Sequence, residues 1–220
     1  MRSLLVAIAA LNSACAFSNV RSAVVNPGPS FTAQASATTV AGKEVTWFFS
    51  DECVDCNDNL PGLEGVFTWG EKRQSGPSFS VGLGLNFVMP FVEAYMQLGD
   101  GSVPYGIGAR AGFLDRWKQF QLFGRVDKSL SNGRKFLWNP GVFVHDGTSP
   151  NEQNPGRILA FVNGFGLQIG NGPVAFTPSL SIIASHAWHE SLGVKHGPEN
   201  RVFGQAGVSL TLRKTPERRD

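Results

Sequence analysis

Hydrophobic and polar residues alternate along most of this chain with a period of two. In 77–89, Phe79, Val81, Leu83, Leu85, Phe87 and Met89 fall on one face, and Ser78, Ser80, Gly82, Gly84 and Asn86 on the other. The next run sets Val92, Ala94, Met96 and Leu98 against Glu93, Tyr95 and Gln97. The same alternation recurs in 103–113, 118–127, 136–145, 159–169, 174–185 and 202–213. Period two is the signature of strands with two unlike faces. Each run has about ten residues, the length a tilted strand needs to cross a hydrocarbon layer. Two weaker runs, 43–51 and 64–73, precede these eight. They supply a ninth and a tenth strand or, alternatively, a hairpin outside the wall. No segment after the N-terminal leader has a helical period. The pattern predicts an all-β fold: a closed antiparallel up-and-down transmembrane β-barrel of 8–10 strands.

Alternation alone does not orient a barrel, because a soluble lipid-binding barrel alternates too, with its apolar face inward. The make-up of the polar face decides. It carries mostly Gly, Ser, Asn, Gln and Thr, which suit a crowded lumen, where a water-facing exterior would carry Lys and Glu. The opposite face is Phe, Leu, Val, Met and Trp, as lipid requires. Phe91, Tyr105, Trp117, Phe136 and Trp188 stand near run ends, where interfacial aromatic girdles belong. Composition agrees. Only 16% of the 220 residues are charged, against roughly 25% in ordinary soluble domains. The net charge of +2 gives no field for nucleic acid.

The first 16 residues read as a signal peptide: Arg2 is the basic n-region, and Leu4 to Leu11 form an apolar core too short to span a bilayer. Ala14-Cys15-Ala16 fits a small-residue cleavage site. A lipidated Cys15 is the alternative. Residues 17–42, small, polar and Pro-containing, read as a flexible N-terminal arm, 43–213 as the barrel, and 214–220 as a charged tail. After the leader, Cys53 and Cys56 are the remaining cysteines. In an exported chain the pair reads as a small disulfide in an acidic loop. A redox dithiol and half a zinc site are the alternatives, but the absence of a second Cys pair and of a nearby His speaks against zinc.

Short Gly-bearing turns, "GDGS", "SLSNG" and "GNGP", alternate with two long polar stretches, 146–156 and 187–200. Short turns inside and long loops outside is the asymmetry of outer-membrane barrels. On these features the chain resembles the small outer-membrane β-barrels of Gram-negative bacteria. The resemblance covers about 43–213 and implies outer-membrane lipid as its surroundings, with a surface ligand expected at the loops 146–156 and 187–200. The charged tail replaces the terminal aromatic residue usual in that class.

Two sets of residues are candidates for chemistry. Glu93, Arg110, Arg125, Asp127 and Arg213 lie on the polar face. In a narrow lumen they are expected to pair, since an unpaired buried charge is costly, and the filled interior leaves no pore. The second set is His189-Glu190-Ser191. Its His-x-Ser resembles the corresponding element of the outer-membrane lipid A 3-O-deacylases. That resemblance implies acyl-ester hydrolysis with Ser191 as nucleophile, His189 as base and an acid to orient the imidazole, for which Glu190 or Glu199 in the loop would have to substitute. Leu192 and Phe203 stand where that family keeps an asparagine and a glutamate. His186, His189 and His196 are close in sequence but read as loop histidines, so no metal and no cofactor is expected. The sequence therefore favours a non-enzymatic barrel with a structural or surface-recognition role. A lipid A hydrolase, a narrow solute channel and a soluble lipid-binding barrel are the alternatives.

Overall fold

The computed structural model describes residues 20–41, 60–86, 89–114, 117–148, 155–191 and 194–214. These residues form ten strands: β1 (Gly28–Ala41), β2 (Leu60–Glu71), β3 (Ser78–Asn86), β4 (Met89–Gly99), β5 (Tyr105–Leu114), β6 (Trp117–Ser129), β7 (Lys135–Thr148), β8 (Pro155–Gln168), β9 (Val174–Ser191) and β10 (Val194–Arg213). Each strand pairs antiparallel with its sequence neighbours. The first also pairs with the last, from Ser30 opposite Arg213 to Ala41 opposite Val202. The sheet is therefore a closed barrel without an edge. Among the described residues the one helical element is a 3-10 turn, Ser131–Gly133. There Asn132 and Gly133 adopt φ of 62° and 71°, the left-handed region these two residues tolerate best.

The distribution of side chains is inverted relative to a water-soluble protein. Val81, Leu83, Leu180 and Ile182 are strongly exposed although hydrophobic, Leu83 and Leu180 at 65%. Glu93, Arg110 and Asp127 are nearly inaccessible, at 4%, 3% and 1%. A soluble barrel would do the reverse. An apolar exterior around a polar lumen, with every strand paired, is the transmembrane type. Towards one side the lumen also holds apolar residues: Phe143, Ala160, Val162 and Ile183 pack together.

The structure corrects the chain reading in three places. The arm expected at 17–42 becomes β1 from Gly28 onward and closes the barrel. Its outward residues are small (Ala33, Ala35, Ala37), so its alternation carries little hydrophobic contrast. The ten strands thus comprise the eight strong runs plus β1 and β2, whereas 43–51 lies outside the described residues. The stretch 187–200, expected as a loop, is almost all strand. β9 continues to Ser191 and β10 starts at Val194, pairing Lys195 with Glu190 and His196 with His189, with a register shift between His196 and Glu199. Likewise β7 runs to Thr148 and β8 starts at Pro155, leaving 149–154 of the expected loop 146–156 outside the described residues. Cross-strand hydrogen bonding outweighs the polar, turn-prone composition in both hairpins. At 18 and 20 residues, β9 and β10 exceed the roughly 9–11 needed to cross the membrane. Because Val174 pairs with Leu212 near the short turns, the surplus lies at the opposite end.

Of the girdle aromatics, Tyr105 and Phe136 are outward and exposed, whereas Phe91 is buried in the lumen at 5%. It belongs to the phase of Glu93 and Tyr95, one position off the apolar face. The side chains of Trp117 and Trp188 lie outside the described set.

A charge on the lipid face tests the orientation directly. Leu83→Arg, near the middle of β3, is expected to destabilise the refolded barrel by about 2–4 kcal/mol. Urea titration in lipid vesicles, followed by tryptophan fluorescence, measures this. Leu83→Ile should leave the midpoint within error of the parent.

Candidate functional site: a charged lumen and the strap across it

Residues 20–27 precede β1 and cross the lumen from the β2 wall to the β8 wall. Four inward-pointing polar side chains hold this strap by its backbone. Val25 N–H donates to Gln97 Oε1 at 2.8 Å, and Ala23 N–H to Asp127 Oδ1 at 2.7 Å. The Tyr95 hydroxyl donates to the Ala23 carbonyl at 2.8 Å. Asn139 clamps Arg21 on both sides, accepting from its N–H at 2.7 Å and donating to its carbonyl at 3.1 Å. Ser22 Oγ donates to Asp127. Val20, Ala23 and Val25 are 1%, 0% and 3% exposed. Within the strap Val24 N–H donates to Ser22 Oγ at 3.2 Å, and burying the rest of its backbone requires partners in the wall. The lumen supplies them from β4, β6 and β7.

Two wall positions leave room for the strap. A Cβ on Gly70 would overlap the Asn26 carbonyl oxygen, and one on Gly166 would sit 2.8 Å from Val20 Cγ1.

Above the strap, Glu93 is the centre of an ion cluster. Its Oε2 accepts from Arg21 Nη2 and from Arg110 Nη2 at 3.0 Å, and its Oε1 accepts from Arg125 Nη2 at 2.9 Å. Arg110 also forks onto Glu64, at 2.8 and 3.1 Å. A planar guanidinium facing a carboxylate in this bidentate way is the strongest geometry such a pair has. Aromatic faces support the cations. Arg110 lies 4.2 Å from the Phe91 ring centroid, and Arg125 lies 4.5 and 4.6 Å from those of Tyr95 and Phe123. Lower down, Asp127 faces Lys135 at 4.0 Å, and Arg213 Nη2 donates to Gln168 Oε1 at 3.3 Å.

The structure thus brings Glu93, Arg110 and Arg125 into one cluster, with Asp127 holding the strap beside it and Arg213 at the rim of the same end. Sequence reasoning missed Arg21 and Glu64. Glu64 carried a usable signal: it alternates with Phe67 and Trp69, which face out, so its phase is inward. Arg21 carried none, because its segment has no period. Ser191, His189 and Glu190 lie on β9, with Ser191 opposite Val194. Their side chains lie outside the described residues, as do Cys15, Cys53 and Cys56. No group of three or more metal-ligating side chains occurs among the described residues.

Neither a protein-family model nor a curated protein matches the chain. Among solved structures it is similar to Neisserial surface protein A, with a TM-score of 0.41 and 7% identity, over 85% of this chain and 97% of that one. It is also similar to the β domain of the Bordetella autotransporter BrkA, at 0.35 and 12%, over 83% and 98% of the two chains. Yersinia pestis outer membrane protein Ail follows at 0.28 and 13%, over 84% and 99%. The class of this protein, a closed ten-stranded transmembrane β-barrel, rests on its own strand order and exterior.

Two substitutions separate the cluster from the strap. Glu93→Gln removes the charge that three arginines share and is expected to cost about 3–5 kcal/mol, measured by urea unfolding in detergent. Gly70→Leu is expected to unseat the strap while leaving the wall intact. Limited proteolysis should then clip the segment before Gly28 at least tenfold faster, with the heat-modifiable mobility of the folded barrel retained.

Proposed function

We propose that this is a non-conducting outer-membrane β-barrel whose role is structural or surface recognition. The observation that carries this reading is the filled lumen. A backbone strap crosses it, and Glu93 and Glu64 tie three arginines together over the strap. In this reading the leader 1–16 is removed on export and both termini lie on the periplasmic side. The short turns then face inward, and the extended β7–β8 and β9–β10 hairpins project outward. The connection 42–59, with the proposed Cys53–Cys56 disulfide, joins β1 and β2 at the same outer end as those hairpins. A recognition surface built there would present hairpin strands rather than the free loops the sequence suggested. The apolar exterior supports lipid as the surrounding partner and opposes a soluble lipid-binding barrel, whose ligand would need the apolar face inside.

Planar-bilayer recording of the full mature chain tests the non-conducting role. Silence at high incorporation, judged by folded protein recovered from the bilayer lipid, is the expected result. Discrete openings of reproducible amplitude would overturn it in favour of a narrow channel.

One observation favours a second reading, ester hydrolysis of lipid A. Because β9 continues through Ser191, His189 and Ser191 form a strand element rather than a loop. Mass spectrometry of lipid A from cells with and without the protein tests this. Loss of one acyl chain that is abolished by Ser191→Ala would establish the hydrolase, and an unchanged acyl pattern would remove it.

A further inference from the structure

We infer that the barrel holds a small inorganic oxyanion, of the phosphate or sulfate type, between the strap and the β1–β3 and β10 wall. A cavity of about 50 Å³ lies there, lined by Arg21, Arg125 and Arg213 together with hydroxyl residues such as Ser30, Thr68 and Thr211, and by no carboxylate. A single water needs roughly 10–15 Å³ on this measure, so the space takes about three to five atoms of that size. That matches a tetrahedral oxyanion.

Charge and hydrogen bonding point to the same ligand. Among the described residues, Arg21, Arg110, Arg125, Lys135 and Arg213 face the lumen against Glu64, Glu93 and Asp127. Buried charge without a counter-charge is costly, and this excess of cations is concentrated where the cavity is. Glu93 is already shared by Arg21, Arg110 and Arg125. The Nε–H groups of Arg21, Arg125 and Arg213 have no hydrogen-bond partner among the described residues, although Arg21 and Arg125 are 8% and 6% exposed. Guanidinium donors match oxyanion geometry better than an ammonium does. The neighbouring hydroxyls, Ser30 with Thr68 and Thr32 with Thr211, bond each other at 2.6 and 3.1 Å and can turn a proton toward an acceptor. The strap supplies Arg21, so the site exists only with the strap seated, and in this it rests on the closed-lumen reading.

The test uses the mature chain refolded in detergent, with inorganic phosphate and sulfate as probes and chloride at matched ionic strength as control. The expected result is saturable binding near one equivalent by calorimetry, accompanied by a rise in the thermal midpoint that chloride does not reproduce. Arg213→Gln should weaken binding at least tenfold. Should that variant fail to refold, Thr211→Val carries the test, with at least threefold weakening expected. Equal responses to chloride and phosphate, or undiminished binding in both variants, would overturn the site. Channel openings together with saturable phosphate binding would overturn the non-conducting role while upholding the site and the seated strap it needs. A silent barrel without oxyanion binding would do the opposite.

Discussion

Everything in this structure depends on one requirement of the hydrocarbon layer: no backbone N–H or C=O facing it can be left without a partner inside the protein. A sheet meets that requirement by closing. Closure here is the pairing of β1 with β10 over twelve positions, from Ser30 with Arg213 to Ala41 with Val202. The outward side chains of β1 are mostly alanines. This strand earns its place through its hydrogen bonds and contributes little apolar surface. Remove it and both β2 and β10 become open edges in lipid.

Closure creates a second problem, an interior lined with buried polar and charged groups. The chain answers with side chains that satisfy one another. Glu93 accepts from three arginines, Glu64 takes both arms of Arg110, and ring faces of Phe91, Tyr95 and Phe123 lie against the cations. Four lumen side chains, Gln97, Tyr95, Asp127 and Asn139, lie outside these ion pairs. They bind the backbone of residues 21–25. The strap is thus the complement of these lumen groups. The same bookkeeping, carried to the cations, leaves three arginine Nε–H groups around a polar cavity, and this is the basis of the proposed oxyanion site.

Much of the fold was legible because a transmembrane wall is a local object. Among the described side chains of β3 to β10, parity separates the lipid face from the lumen, so Leu83 and Glu93 declare their sides without reference to any distant strand. The inward phase of Glu93, Arg110, Arg125 and Asp127 was readable for the same reason. Glu93 and Arg110 are also direct cross-strand partners in the β4–β5 hairpin, a short-range relation. The strap was not legible. Val20 to Asn26 has no period and is held by residues 72 to 118 positions away. Composition made it look like a loose arm. The 187–200 stretch misled in the opposite sense: His, Gly, Pro and Asn suggested a loop, yet pairing to a long neighbouring strand holds it extended.

The sequence by itself determined the strand periodicity, the orientation of the two faces and the charged character of the lumen, because each follows from nearest-neighbour alternation and from what lipid and a narrow interior will accept. The tertiary structure alone decided which strand closes the barrel, that the N-terminal segment crosses the lumen, and that Arg21 joins Arg110 and Arg125 on one carboxylate. Those outcomes depend on contacts between residues far apart in the chain, where parity says which face a side chain takes but not what it will meet there.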